Sequence, residues 1–464
     1  MNPLNDVIAA IATPIGEGGI SVVRVSGNNA IEVADKGFRG RQQLKSAGAY
    51  TAHFGQFVDA NGNVLDEVIA TVFHEPHSYT AENSVEISCH GGVFVTRKIL
   101  DSLIAFGARM AEPGEFTKRA FLNGRIDLSQ AEAVADLIRS QSEASHKTSL
   151  QQLEGKLSIK IGEIRKRLLD LCSLIELELD FVEEGLEFTK RDQLAKEIES
   201  AIQHLSQLVN SYEYGKVCRE GIKVVLAGIS NVGKSSILNN LLDENRAIVT
   251  EIPGTTRDVI EENVIIDGLL FRIVDTAGLR MSHDLVEKEG MKRTESQLRS
   301  SDIIVLVVDA STGFDSMDKA ILDQVVKEVS HQNLLVAYNK IDLKSGSERI
   351  STLSELGQLK STRISALTGE GLDEFRRLLV QTALSGTSRS PGASLVITND
   401  RHRDSLARSV TSLSLALDSL KSGRSNEFIA VDLHAALSSL GEIIGLVTSD
   451  DILNNIFSRF CIGK

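Results

Sequence analysis

Residues 228–235 combine two glycines, an asparagine, a lysine and a serine at the spacing of a phosphate-binding loop. An apolar run precedes the segment and predicts a buried strand, and a predicted helix follows it. Gly228 and Gly233 would let successive backbone N–H groups face phosphate oxygens. Lys234 would reach the β- and γ-phosphates, and Ser235 would offer its hydroxyl to Mg²⁺. The segment therefore predicts a nucleotide site.

A second group of residues predicts how the metal and the γ-phosphate are sensed. Asp275 follows another apolar run and begins the sequence Asp-Thr-Ala-Gly, which ends at Gly278. The carboxylate would hold Mg²⁺ through water, and the glycine N–H would contact the γ-phosphate. A threonine upstream would complete the Mg²⁺ shell only when the γ-phosphate is present. Of the residues 250–256, we choose Thr256 for this role.

A third motif predicts the identity of the base. Asn339, Lys340 and Asp342 stand at the end of a predicted strand. The Asp342 carboxylate can accept hydrogen bonds from both N1–H and the 2-amino group of guanine, and adenine has no such donor pair. The segment Ser365–Leu367 fits a backbone contact to guanine O6. In this order, the motifs predict a GTPase.

The residue after Gly278 is Leu279, where Ras-like GTPases have a glutamine that orients water. A leucine cannot orient water, so hydrolysis must use other groups. One candidate is a monovalent cation near the phosphates, to which Asn231 could offer its side-chain oxygen. Alternatively, Asn231 only tolerates the backbone geometry of the loop. A downstream carboxylate is the other candidate.

Composition narrows the classes of protein. The 464 residues include 50 Lys and Arg against 63 Asp and Glu, which gives a net charge of −13. This disfavours broad neutralisation of nucleic-acid phosphates by the chain itself. The four cysteines are far apart, which argues against a disulfide framework or structural zinc and favours a reducing cytoplasm. We expect neither export nor a membrane span.

The predicted secondary structure that must position these motifs differs between successive regions of the chain. Short strands with one helix, Val93–Phe106, predict an α+β domain over residues 1–122. Apolar stripes at helical spacing predict helices over 123–215 and again over 385–464. Apolar strands alternating with helices over 216–384 predict a doubly wound α/β domain. We therefore predict a multidomain α/β and α+β protein, in which a P-loop G domain is inserted into a discontinuous helical domain.

Two segments that ordinary GTPases lack add to these motifs. They are Pro113–Leu128, which reads PGEFTKRAFLNGRIDL, and the terminal Cys-Ile-Gly-Lys of residues 461–464. With them, the chain resembles over essentially its full length the MnmE (TrmE) family, GTPases of tRNA uridine-5-carboxymethylaminomethyl modification. The resemblance implies an N-terminal domain similar to folate-dependent aminomethyltransferases, which dimerises and binds 5,10-methylenetetrahydrofolate or a related tetrahydrofolate.

The resemblance also assigns roles to single residues. It implies folate contacts from Arg24, Glu86, Arg125 and Lys464, although Arg24 and Glu86 alone would be interpreted as surface or strand-end charges. Some relatives have lysine where Arg125 stands, which keeps the charge but not its geometry. Cys461 is either a reactive thiol in the folate centre or a small apolar residue.

In the G domain, the family hydrolyses GTP when two G domains meet in the presence of K⁺. By resemblance, Asn231, Thr250, Ile252 and Thr255 surround K⁺, and Ser235 and Thr256 bind Mg²⁺. Glu287, otherwise a solvated loop charge, would organise the attacking water, and Lys234 would be a second catalytic residue of the G domain. The full set of predicted nucleotide-binding residues is Asn231, Val232, Gly233, Lys234, Ser235, Ser236, Thr250, Glu251, Ile252, Pro253, Gly254, Thr255, Thr256, Asp275, Thr276, Ala277, Gly278, Asn339, Lys340, Asp342, Ser365, Ala366 and Leu367.

The resemblance implies a partner, the FAD-dependent protein MnmG (GidA), and a tRNA substrate. Together the two proteins would add an aminomethyl or carboxymethylaminomethyl group to C5 of the wobble uridine. Two other functions remain as alternatives. The first is a ribosome-assembly GTPase, although no Gly-x-x-Gly clamp in a basic module follows the G domain. The second is a folate methyltransferase with a passive G domain.

Overall fold

The structure is a computed structural model that describes residues 6–180, 191–245, 261–275, 296–314, 316–328, 333–343, 359–387 and 395–464. The chain divides into two compact units. The first contains Met1–Ala135, Gln152–Lys166 and Ser438–Lys464, and the second contains Asp136–Gln151 and Arg167–Leu437.

The first unit is built on a seven-stranded sheet with the order β3-β4-β5-β6-β2-β1-β7. The strands are β1 (Ile8–Ile11), β2 (Gly18–Ser26), β3 (Phe38–Gly40), β4 (Thr51–Val58), β5 (Val64–Phe73), β6 (Ser84–Gly91) and β7 (Arg109–Met110). In the antiparallel pair β2 and β6, Arg24 lies directly opposite Glu86. Helices α1 (Ala30–Gly37) and α2 (Val93–Ala105) pack their apolar faces on this sheet. The region is α+β, as the sequence predicts.

The segment Pro113–Leu128 forms helix α3 (Glu115–Leu122) and the start of α4 (Leu128–Arg139). Gly114, with φ +68°, lies against the last helix of the chain, α14 (Asp450–Phe457), so closely that a Cβ would be 2.6 Å from the carbonyl oxygen of Phe457. Buried Arg119 donates to carboxylates of Glu82 and Glu115. The pair with Glu115 lies within α3, and the pair with Glu82 joins α3 to the segment that precedes β6. Both pairs compensate the buried charge of Arg119.

The second unit contains a six-stranded sheet with the order β13-β12-β11-β8-β10-β9. Its strands are β8 (Ile222–Ala227), β9 (Glu261–Ile266), β10 (Leu269–Asp275), β11 (Ile303–Asp309), β12 (Leu334–Asn339) and β13 (Lys360–Arg363). All neighbouring strands are parallel except β9 and β10. Helices α9 (Lys234–Asn245), α10 (Ser316–Glu328) and α11 (Leu372–Ala383) accompany it. The carboxyl ends of its parallel strands carry the nucleotide motifs, which is where open α/β sheets bind ligands.

The remaining helices are α5 (Glu143–Leu153), α6 (Lys156–Asp180), α7 (Arg191–Asn210), α8 (Tyr212–Glu220), α12 (Asp400–Lys421) and α13 (Asn426–Ile444). Among them, α6, α7, α12 and α13 are long, as their apolar stripes predict, whereas α5 and α8 are short. The residues of the α6 stripe, among them Leu157, Ile161 and Leu168, are buried. No helix in the described ranges is long and apolar enough to cross a membrane.

Candidate functional site

The loop after β8 has the backbone geometry that its glycines predict. Gly228 has φ +148°, and a Cβ there would be 2.4 Å from the carbonyl oxygen of Val307. Asn231 has φ +66°, which is uncommon for a residue with a side chain. The ammonium of Lys234, a buried residue, donates to the carbonyl oxygens of Gly228 and Ile229 at 2.9 and 2.8 Å. The loop thus curls around the lysine that would contact the phosphates.

The phosphate loop and the base loop are held together by Asn339. Its side-chain nitrogen donates to the carbonyl oxygen of Val232 at 2.8 Å, and its oxygen accepts from the backbone N–H of Ala366 at 2.9 Å. Asn339 is 2% exposed, so both hydrogen bonds are shielded from water. Gly233 leaves room for this side chain, since a Cβ would lie 2.2 Å from the Asn339 amide nitrogen. Three motifs that are distant in sequence therefore share one buried amide.

Two carboxylates, those of Asp342 and Asp309, accept hydrogen bonds from side chains of the base loop. The Ser365 hydroxyl donates to the exposed carboxylate of Asp342 at 2.6 Å. The ammonium of Lys340, whose φ is +67°, lies 2.6 Å from the carboxylate of Asp309. Burial alone would raise the pKa of Asp309, but hydrogen bonds from Lys340 and Ser311 lower it below the usual value. The carboxylate of Asp342 is thereby oriented and remains accessible to a base.

Oxygen ligands for a hard cation lie on the other side of the phosphate loop. The Ser235 hydroxyl donates to the Asp275 carboxylate at 2.7 Å. Ser235 and Ser236 are exposed at the start of α9, and Leu367 is 85% exposed at the base loop. The remaining predicted residues of this site, Thr250, Glu251, Ile252, Pro253, Gly254, Thr255, Thr256, Thr276, Ala277, Gly278 and Glu287, lie outside the described residues.

In the first unit, the predicted folate residues gather around an aromatic ring. The guanidinium carbons of Arg24 and Arg125 lie 4.9 and 5.0 Å from the centroid of the Tyr79 ring, and the Lys464 ammonium lies 5.9 Å from it. The Arg24 Nε donates to the Glu86 carboxylate at 2.9 Å. Arg24, Arg125 and Lys464 therefore surround the Tyr79 ring, and Glu86 joins this cluster through Arg24.

Two features of this cluster favour an anionic ligand. The Nη1 atom of Arg24 is buried and, within the described part of the chain, has no hydrogen-bond partner. Burial and the nearby charge of Arg24 lower the pKa of Lys464. A ligand that accepts hydrogen bonds and carries negative charge would satisfy both groups.

The end of the chain is held by a glycine. Gly463 has φ +95° and passes so close to β1 that a Cβ would be 2.2 Å from the carbonyl oxygen of Ile11. This contact brings Lys464 to the cluster, and it leaves Cys461 exposed. The terminal Cys-Ile-Gly-Lys thus needs its glycine for packing and presents two side chains with possible chemistry.

Sequence reasoning missed Tyr79 and Asn240. Tyr79 lies in a turn, where a lone tyrosine has no distinguishing pattern, and its hydroxyl pairs with the Thr117 hydroxyl at 2.9 Å. Asn240 donates to the carbonyl oxygen of Ala366 at 2.5 Å and so supports the base loop from α9. Spacing along α9 predicts only that Asn240 lies two turns after the phosphate loop.

The order of the parallel strands, the curled lysine loop and the base loop define a P-loop protein. The sequence profile of the MnmE helical domain matches residues 128–461, and that of the "GTP-binding protein TrmE N-terminus" matches residues 7–125. The chain belongs to the MnmE family, and the predicted fold class is confirmed.

Individual relatives agree with this assignment. The chain is 44% identical to the tRNA modification GTPase MnmE of Carboxydothermus hydrogenoformans, over 99% of this chain and 100% of that protein. It is also 44% identical to the tRNA modification GTPase MnmE of Salinibacter ruber, over 99% of both chains. The solved G domain of the FeoB iron transporter of T. maritima is 27% identical, covers 35% of this chain and 98% of its own, and has a TM-score of 0.28.

Proposed function

We propose that this chain is a K⁺-stimulated GTPase, activated by dimerisation, that acts with MnmG in modifying the wobble uridine of certain tRNAs. The observation that supports the GTPase proposal is the buried side-chain amide of Asn339. It connects the phosphate loop to the base loop by hydrogen bonds to the Val232 carbonyl oxygen at 2.8 Å and the Ala366 N–H at 2.9 Å. A nucleotide bound there would meet Lys234 at its phosphates and Asp342 at its base. Full-length relatives named tRNA modification GTPase support the substrate class.

The residues of the phosphate loop suit the cations that we propose. Ser235 and Asp275 offer oxygen ligands, which Mg²⁺ prefers over nitrogen or sulfur. When bound, Mg²⁺ would neutralise charge on the β- and γ-phosphates. Of the four proposed K⁺ ligands, Asn231 lies within the described residues, exposed on the phosphate loop. Thr256 for Mg²⁺, the other K⁺ ligands and Glu287 as the residue that organises water stay proposals from the resemblance.

We propose that the Tyr79 cluster binds a tetrahydrofolate carrying a one-carbon unit. Arg24, Arg125 and Lys464 would bind carboxylates of the ligand, and Tyr79 would stack on one of its rings. Glu86 would orient Arg24 through their ion pair. Cys461 is exposed near this cluster, and full modification by Cys461→Ser would exclude it from the chemistry.

The proposed organisation follows the predicted boundaries, with a folate and dimerisation domain at 1–122, a G domain at 216–384 and helical segments at 123–215 and 385–464. The one-carbon unit would supply the methylene group added at C5, and MnmG would contribute FAD. A monomer in sedimentation of the purified chain would contradict the proposed homodimer.

GTP turnover by the purified chain, at constant ionic strength in KCl and then in NaCl, tests the hydrolytic mechanism. We expect strong stimulation by K⁺ that is lost in Asn231→Ala, because the variant lacks the side-chain oxygen that would bind the cation. Asn239→Ala, which changes an exposed residue of the following helix α9 that is not among the predicted nucleotide-binding residues, serves as the control for a general disturbance. Equal, slow rates in both salts would contradict the K⁺ and Glu287 assignments and favour an assembly-factor GTPase.

A further inference from the structure

Three potential metal ligands converge between two helices, far in sequence from every motif described above. Cys172 and Glu176 lie one turn apart on α6, and His434 lies on α13. The Cys172 sulfur is 3.4 Å from the Nε2 atom of His434 and 3.9 Å from a Glu176 carboxylate oxygen. The same carboxylate oxygen is 2.6 Å from His434 Nε2. We call these three residues the Cys172 cluster.

These separations are close to those of ligands around one ion. In a tetrahedral zinc site, metal–ligand bonds of about 2.0 to 2.3 Å place a sulfur about 3.5 Å from a nitrogen or an oxygen. The observed distances of 3.4 and 3.9 Å need changes of only a few tenths of an ångström. The carboxylate oxygen and the imidazole nitrogen must separate from 2.6 Å to about 3.3 Å. The exposed Glu176 and His434 side chains can move by this amount.

A nucleophilic triad is the competing interpretation, and the geometry disfavours it. In such a triad the histidine uses one ring nitrogen for the nucleophile and the other for the carboxylate. Here both partners contact the same atom, Nε2 of His434. Cys172 is also only 1% exposed, which leaves no access for a substrate carbon. The sulfur, oxygen and nitrogen atoms all lie within 3.9 Å of one another, and such a group of ligand atoms suits a cation instead.

We propose that Cys172, Glu176 and His434 bind one borderline-soft divalent cation of the Zn²⁺ class, with solvent as the fourth ligand. A thiolate and an imidazole favour Zn²⁺ over Mg²⁺, which prefers an all-oxygen shell. Solvent reaches the site because the side chains of Glu176 and His434 are 50% and 56% exposed. The Cys172 thiol would lose its proton to bulk water as the sulfur–metal bond forms.

Such an ion would link α6 to α13, two helices that already meet through the hydrogen bond from Asn426 to Glu178 at 2.8 Å. Because the unfolded chain does not present this ligand set, binding would stabilise the folded state. The site is independent of the nucleotide and folate proposals, so it stands if either of them fails.

Co²⁺ is a suitable probe, since a thiolate bound to it gives a near-ultraviolet charge-transfer band and tetrahedral Co²⁺ gives visible bands. We expect both when Co²⁺ is added to the full-length, nucleotide-free chain under reducing conditions, and we expect Zn²⁺ to displace it at one equivalent. Cys172→Ser should abolish the thiolate band. Cys218→Ser, which changes an equally buried cysteine, should keep it.

His434→Gln provides a second test that does not disturb the core, because this side chain is half exposed. We expect its affinity for Co²⁺ to be at least about tenfold weaker and the rise in melting temperature with Zn²⁺ to disappear. The proposal would be overturned by the absence of the band in the unmodified chain. It would also be overturned if the band persists in Cys172→Ser, which would place the thiolate at another cysteine such as exposed Cys461.

Discussion

At the scale of single residues, Lys464 lies where folding disfavours its charge. Burial and the neighbouring Arg24 lower the pKa of its ammonium group. A lysine with a lowered pKa in the folded state reduces the stability of the protein at neutral pH, because protonation is easier in the unfolded chain. A ligand that supplies negative charge, such as the tetrahydrofolate that we propose, would remove this cost.

Replacing the charged Lys464 side chain should change the stability of the fold and the affinity for folate in opposite directions. For Lys464→Met we expect a higher free energy of unfolding at neutral pH and an affinity for tetrahydrofolate about tenfold weaker or more, because a charge-assisted hydrogen bond is lost. Urea unfolding and calorimetric folate titration measure the two effects. Lys45→Met, which changes an exposed lysine in the same unit, should alter neither. Unchanged folate affinity in Lys464→Met would exclude this side chain from the site.

The sequence predicts single residues well where a backbone geometry demands them. The spacing of Gly228, Gly233 and Lys234 specifies a phosphate loop because few other arrangements need it. The residues that we propose to bind folate were identified only through the family resemblance, since no particular backbone geometry requires an arginine in a strand. Tyr79 was missed for the same reason, as its role depends on three cations that come from distant parts of the chain.

At the scale of elements, the side chain of Asn339 connects the phosphate loop to the base loop by hydrogen bonds. Gly233 has φ +96°, and the amide of Asn339 fills the space where a Cβ would be. Displacing Asn339 would release the carbonyl oxygen of Val232 and the N–H of Ala366 together. We therefore expect a change in the phosphate loop to be transmitted to the base loop.

A methyl group at position 233 should test this coupling. We expect Gly233→Ala to lose GTP affinity by at least about a hundredfold and also to weaken discrimination between GTP and ATP, because clash and strain act on both loops. Gly268→Ala is the matched control, since φ there is +76° and the nearest atom to a Cβ is 3.9 Å away. Nucleotide binding and thermal unfolding separate the two variants. Weakened binding with discrimination intact would contradict the coupling.

Helices and strands with a long apolar pattern could be predicted from the sequence, whereas very short strands could not. The apolar run before the phosphate loop correctly predicted β8, and the apolar stripes over residues 123–215 correctly predicted helices such as α6 and α7. The four-residue β1 and the two-residue β7 were missed because such short segments show no periodicity. Their strand structure depends on pairing with partners that are distant in sequence.

At the scale of the whole molecule, the charge of −13 bears on tRNA recognition. Phosphate contacts from Lys and Arg supply most of the affinity of proteins for nucleic acid. We propose that MnmG provides much of the basic surface for the tRNA. The change from helical to α/β structure along the chain could be predicted because the apolar periodicity changes abruptly before β8, but the tertiary contacts between elements could not.

We therefore expect this chain alone to bind tRNA weakly at about 150 mM salt, and addition of MnmG to increase the affinity of the mixture by at least about tenfold. Fluorescence anisotropy of labelled tRNA over a series of salt concentrations measures this. Tight binding to this chain alone, decreasing steeply with salt, would contradict the proposed division of roles.

We propose above all that GTP, with its guanine base bound by Asp342, drives the modification of tRNA. An amide at position 342 would accept from N1–H and donate to the 2-oxygen of xanthine, so Asp342→Asn should exchange guanine for xanthine. The measurement is wobble-uridine modification in a mixture of this chain, MnmG with FAD, a tetrahydrofolate that carries a one-carbon unit, an amine donor and tRNA. We predict that the variant modifies tRNA with XTP and not with GTP, whereas the unmodified chain and Asp373→Asn, an exposed acid of the same domain, require GTP. Modification by Asp342→Asn with GTP, or without nucleotide, would contradict the claim and favour a folate methyltransferase with a passive G domain.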